Sequence, residues 1–158
     1  MPRVTEILDG VYHPRRPAPG GGHAEYGHEV HAALAEGKPK TVPDVLATWR
    51  RFERETGAET LAIELEVEHN MLGYRGRLDR IILLKGKTWV VDFKSGCRSV
   101  TDTVQVNLYH LAAASMGFTA DRLGVFYITS KRYNLMPCLR RWAQAIEVVR
   151  LYAAKEGT

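Results

Sequence analysis

Thr88-Trp-Val-Val-Asp-Phe-Lys-Ser-Gly96 is the stretch on which the reading of this chain turns. A Trp, two Val and a Phe in a short run closed by Ser-Gly predict a strand. Side chains along a strand alternate, so Asp92 and Lys94 leave the same face. A carboxylate and an ammonium inside an apolar strand cost free energy unless each has a partner. In isolation such a pair reads as a structural ion pair, and only the surrounding sequence can give it another meaning.

Upstream, Lys85-Gly86-Lys87 predicts a hairpin turn, preceded by a strand region Met71 to Leu84 that Gly73 and Gly76 interrupt. Before that, Thr60 to His69 alternates. Leu61, Ile63, Leu65 and Val67 fall on one face, and Glu64, Glu66 and Glu68 on the other, which for Glu66 and Glu68 reads as solvated. The three strands predict an antiparallel meander. Counting outward from Gly86 sets Asp79 and Asp92 on adjacent strands, opposite or offset by one. Neighbouring strands lie only about 5 Å apart. Glu64 is within reach of the same end of the sheet. Crowded carboxylates repel unless a cation sits among them. Oxygen-rich clusters suit Mg²⁺ or Mn²⁺.

Downstream, Thr101 or Asp102 is placed to cap a helix Thr103 to Met116 that Gly117 ends. Gln105 and Tyr109 are four apart on one stripe of it, which is also the pattern of a solvated face. Arg122 to Thr129 predicts a buried strand. Lys131-Arg132 turns into Tyr133 to Met136, Pro137 breaks that strand, and Arg140 to Ala154 predicts a closing amphipathic helix. Lys131, Arg132, Arg140 and Arg141 suit a phosphate backbone and equally suit an ordinary soluble surface.

On the N-terminal side, Val4 to Leu8 predicts a helical turn with Thr5 as cap, and 13–23, rich in Pro and Gly, predicts a loop. Glu25 to Glu36 and Val42 to Glu55 have helical patterns, the second capped by Thr41 or Asp44. His28-Glu-Val-His31 is one residue too short for the H-E-x-x-H zinc motif, which sets that chemistry aside. A histidine on such a helix is ordinarily structural or at the surface.

The chain has 158 residues, 45% hydrophobic and 25% charged, which predicts one soluble domain over 1–158. No apolar run reaches the ~20 residues of a membrane span. The start lacks a signal-peptide core, so a cytoplasmic location is expected. A net charge of +4 fits a nucleic-acid partner without requiring one. Cys97 and Cys138 stand far apart, against a zinc ribbon or a four-cysteine iron–sulfur cluster.

Taken together, Gly27-His-Glu-Val-His31, Ala62-Ile-Glu64-Leu-Glu-Val67, Gly76-Arg-Leu-Asp79-Arg-Ile, Val91-Asp92-Phe-Lys94-Ser-Gly96 and Gln105-Val-Asn-Leu-Tyr109 resemble, in order and spacing, the motifs of the PD-(D/E)XK nuclease superfamily. Within it they are similar to the RecB-like exonuclease branch. Leu78 stands where the proline of the superfamily's name would be, and the cysteines of its iron–sulfur members are missing.

The resemblance implies an α/β, restriction-endonuclease-like core. That core has a mixed sheet of about five strands, a meander followed by a crossover helix, flanked by helices. It implies Mg²⁺ or Mn²⁺ held by Asp79, Asp92 and the Phe93 carbonyl, with His31 and Glu64 completing the site. Lys94 would orient or deprotonate the attacking water, and Gln105 and Tyr109 would position Lys94 or the DNA. Arg77, Lys131 and Arg132 are the expected DNA contacts. The implied activity is an exonuclease in recombination, repair or phage DNA processing, in a bacterial or phage-infected cytoplasm. A helicase or recombination protein would be a separate chain. The alternatives are a nicking or structure-specific endonuclease, or a non-catalytic nucleic-acid-binding module.

Overall fold

A computed structural model describes residues 1–13, 22–37 and 43–157. Most of the expected 13–23 loop and the proposed Thr41 cap lie outside these residues.

The fold starts from the hairpin. Strand β2 (Tyr74–Leu84) meets β3 (Lys87–Lys94) through a two-residue turn, with Leu84 opposite Lys87. Lys85 (φ 50°) and Gly86 (φ 75°) both take left-handed backbone. That is the type I′ geometry whose twist matches an antiparallel pair. β1 (Glu59–His69) pairs antiparallel with the other edge of β2. After β3 the chain crosses over through a helix to β4 (Arg122–Ile128), parallel to β3, and β5 (Tyr133–Cys138) returns antiparallel. The result is a five-stranded mixed sheet in chain order, the α/β architecture expected.

Two helical layers cover it. The helices, in chain order, are α1 (Val4–Tyr12), α2 (Gly22–Glu36), α3 (Pro43–Thr56), the crossover α4 (Val100–Ser115) and α5 (Trp142–Glu156). α1, α4 and α5 bury Ile7, Leu108, Ala112 and Val148 against Leu78, Val90 and Val125. α2 and α3 bury Val30, Leu34, Trp49 and Phe52 against Ile82, Val91, Phe93 and Phe126. In this second layer Trp49 meets Phe52, Phe93 and Phe126 at ring-centroid distances of 5.1, 5.1 and 5.0 Å. Such pairs add about 0.5–1.5 kcal/mol each beyond the area they bury. In the first layer, buried His110 binds the Ala120 carbonyl through Nε2 and accepts from Trp142 Nε1 at Nδ1, tying α4 to α5.

Several local expectations change. α1 runs on to Tyr12 and starts after Arg3, whose N–H donates to Glu6 Oε2 at 2.7 Å, so Thr5 is not its cap. α2 already begins at Gly22. β2 begins at Tyr74, because Gly73 (φ 69°) turns the chain first. Ser99, not Thr101 or Asp102, caps α4: its Oγ accepts from Thr101 N–H, and Asp102 Oδ2 accepts from Ser99 N–H at 2.9 Å. β5 continues through Pro137, which faces Gly124 on an edge strand that asks no donor of it. α5 begins at Trp142. Leu61, Ile63 and Leu65 are exposed rather than packed, since no described helix covers that part of β1.

Candidate active site

β2 and β3 stay paired only as far as Arg80 opposite Val91. Beyond that point the edge of β2 that β3 has left accepts the N-terminus, with Arg75 N–H donating to the Pro2 carbonyl at 3.0 Å. The sheet forks, and the residues at the fork are Asp79 and Asp92. Phe93 N–H closes the apex by donating to Asp79 Oδ2 at 2.8 Å. Leu78 and Ile81 both pack into the α4-side core although they are three apart. Strict alternation therefore slips around Asp79. Across the β1–β2 pair, the register sets Glu64 beside Asp79, between the partners Ile63 with Arg80 and Leu65 with Leu78. Glu64 itself has φ 48°, an uncommon conformation for a residue with a side chain.

Helix α2 brings His31 to the fork, with Nδ1 3.0 Å from Asp79 Oδ1. From the opposite layer, α4 brings a relay. Lys94 Nζ donates to Gln105 Oε1 at 2.6 Å, and Gln105 Nε2 donates to the Tyr109 hydroxyl at 3.1 Å. Gln105 and Tyr109 are buried, so their stripe is not a solvated face. Lys94 Nζ also lies 3.2 Å from Asp92 Oδ2. The approach is close but off the line of a hydrogen bond, and Asp92 Oδ2 is buried with no hydrogen-bond donor.

The charges follow from this geometry. Burial, then the charge of Asp79, pushes Asp92 up to about 8. Burial also pushes Asp79 upward, but its hydrogen bond to His31, the His31 charge and the Phe93 N–H outweigh it and hold Asp79 below the usual range. The two acids are thereby driven apart, Asp92 above and Asp79 below the ordinary carboxylate range. His31 is raised: burial opposes its charge, and Asp79 followed by Asp92 prevails. Lys94 is raised too, burial being overcome by Asp92 and Asp102, so it stands as an ammonium. Asp102 reads from sequence only as a candidate helix cap. It is buried beneath the Tyr127 hydroxyl, which donates to it at 2.7 Å.

The remaining expected residues lie further out. Exposed Arg77 pairs with half-buried Glu64 at 3.8 Å. Lys131 and Arg132 are exposed in the β4–β5 turn, on the same end of the sheet, and the Lys131 carbonyl accepts from Arg51 at 2.8 Å.

Gly76 is a steric condition for the relay. A Cβ there would lie 2.6 Å from Tyr109 Cε1 and 3.0 Å from Val4 Cγ2. Gly76→Ala is expected to displace Tyr109 and, through Gln105, Lys94. A displacement of about 1 Å at a reacting group costs on the order of a hundredfold in rate. Steady-state cleavage rates checked against an unchanged circular-dichroism spectrum measure this, and full activity would refute the relay's role.

Among the described residues, no group of three or more His, Cys, Asp or Glu side chains is gathered as a ready metal cage. Asp79 and Asp92 nonetheless suit a hard divalent ion: both are carboxylates, and one buried oxygen lacks a donor. Among the described residues, no helix is long and apolar enough to cross a membrane.

Two solved structures share this fold. The crystal structure of SSO0001 superposes with a TM-score of 0.51 at 17% identity, over 97% of this chain and 75% of that one. The crystal structure of LHK-Exo in complex with dAMP gives 0.51 at 11% identity, over 98% and 86%. No curated protein matches the sequence. The model of the PD-(D/E)XK nuclease superfamily matches residues 6–150, nearly the whole chain, including every motif of the fork. The chain therefore belongs to the PD-(D/E)XK nuclease superfamily.

Proposed function

We propose that this protein is a divalent-metal-dependent DNA nuclease acting as an exonuclease. One observation carries the metal-site reading: Asp92 Oδ2 is buried between Asp79 and Lys94 without a donor. Two largely buried carboxylates side by side are costly, and the Lys94 ammonium 3.2 Å from Asp92 Oδ2 offsets only one of the two charges, which leaves room for a divalent ion. Asp79, Asp92 and the Phe93 carbonyl would hold Mg²⁺ or Mn²⁺, with His31 and Glu64 as flanking ligands. A bound divalent ion lowers the pKa of water and neutralises phosphoryl oxygens.

The chain's own groups do the rest. Phe93 N–H and His31 fix both oxygens of Asp79, so its orientation is set before substrate arrives. Lys94 presents a fixed positive charge to the phosphate and attacking water, aimed by Gln105. Arg77, Lys131 and Arg132 would meet phosphates to either side of the fork. The RecB-like order of motifs, together with the fold shared with LHK-Exo, favours attack from an end.

The test is end-labelled linear DNA and covalently closed circular DNA, each incubated with Mg²⁺, Mn²⁺ or a chelator. Linear DNA should be degraded progressively from an end, circles should survive, and the chelator should stop the reaction. Nicked circles would make the enzyme an endonuclease. Cleavage undiminished by the chelator would overturn the metal site.

A further inference from the structure

Arg80 is among the few buried charged residues of the described structure, at 3% exposure; Glu53, Asp79 and Glu64 favour its charge, but it makes no hydrogen bond to any of them. Its guanidinium lies over the Trp49 ring at 4.9 Å and over the Phe93 ring at 5.3 Å. Nη2 donates to the Leu34 carbonyl at 2.6 Å, while Nη1 reaches Thr60 Oγ1 only at 3.4 Å and Nε has no acceptor. An arginine buried on so few acceptors is expensive for stability alone, since an apolar residue of the same volume would fill the space at lower cost.

Its contacts converge on the fork. Leu34 lies three residues after His31, within one turn of α2. Phe93 is the residue whose N–H holds Asp79 Oδ2. We infer that Arg80 is a positioning residue: by gripping the Leu34 carbonyl and the Phe93 ring together, it fixes α2 against the sheet and so sets His31 on Asp79. Val30, Ala33 and Leu34 supply apolar contact for the helix, but apolar contact is non-directional. The short bond to Leu34 supplies direction and register. The inference deepens the nuclease reading and rests on it for the catalytic consequence only.

Two variants and a cycle test it. Arg80→Met keeps a flexible stem of similar girth and removes the fork. Amide hydrogen exchange of peptides within 27–36, in protein without metal or DNA, should become faster in this variant. Peptides from β4 and α5 should be unchanged. This arm reads helix docking whether or not the protein is a nuclease, so it fails separately from the functional proposal. Cleavage by Arg80→Met should fall on the order of 10–100-fold, the usual loss when a group that orients ligands is removed. Because the effect passes through His31, Arg80→Met introduced into His31→Ala should cost little more. Losses that multiply in the double variant, or unaltered exchange in α2, would overturn the inference. Should Arg80→Met not fold, Arg80→Lys keeps the charge over the two rings without the forked reach to Leu34. It enters the same cycle with the same expected non-additivity.

Discussion

Asp92→Asn is expected to abolish cleavage and, in metal-free buffer above neutral pH, to raise the melting temperature. The two effects have one origin. Asp92 is 2% exposed, faces Asp79 across the fork, and has an oxygen with no donor. An ordinary unfolded carboxyl ionises near pH 4, whereas burial and Asp79 push Asp92 up to about 8. Between those values the native state holds a proton that the unfolded chain has released. Native stability therefore falls as pH rises through that window and stays low above it. Asparagine removes the slope. In a domain of this size each kcal/mol recovered appears as about 2–4 °C. Thermal melts of both proteins from pH 5 to 9 should be close at the acid end and diverge toward the alkaline end. Parallel melts across the range would contradict the burial argument. In cleavage assays the variant should fall below detection, because the proposed ligand oxygen is gone.

Lys94→Ala should remove activity while leaving the fold in place. The Lys94 side chain is a quarter exposed. Its partners are Asp92, whose charge it offsets, and Gln105, which aims it. Removing one preorganised group that stabilises developing charge costs on the order of 10²–10³ in kcat. Gln105→Ala should give a smaller loss, since the charge remains and only its aim is relaxed. Single-turnover cleavage at saturating Mn²⁺ compares the two. A Lys94→Ala protein as active as the parent would remove the residue from the mechanism.

Much of this site was legible from the chain because it is built on period-2 arithmetic. The Gly86 turn and the β2–β3 pairing follow from counting along strands, and the register runs to Arg80 opposite Val91; Asp79 and Asp92 lie one residue beyond it, where Phe93 N–H reaches Asp79 Oδ2. The layer contacts were less legible. Alternation puts Leu61, Ile63, Leu65 and Val67 on one face, but β1 changes phase: Ala62 and Val67 both pack on the α4-side core while Leu61, Ile63 and Leu65 are exposed, with Glu64 at φ 48° between them. Gln105 and Tyr109 read as surface because polar side chains usually are. They are buried because they satisfy one another and Lys94. Arg80 was passed over beside the motif aspartate. Its signal was present: it shares strand phase with Ile82, on the face that packs beneath α3.

The fork also orders assembly. Asp79 and Asp92 are joined by a hairpin with a two-residue turn, so the two acids approach as soon as that hairpin closes. Lys94 acquires Gln105 only after the crossover helix docks, and His31 must come from 48 residues away. Loop-closure entropy favours that sequence of events. Ile81→Val and Val90→Ala should therefore slow refolding, with φ-values well above those of Val30→Ala, whose effect should lie in the unfolding rate. The two acids are thus brought together early, and the hairpin must be stable enough to hold Asp79 beside Asp92 before the rest of the protein surrounds them.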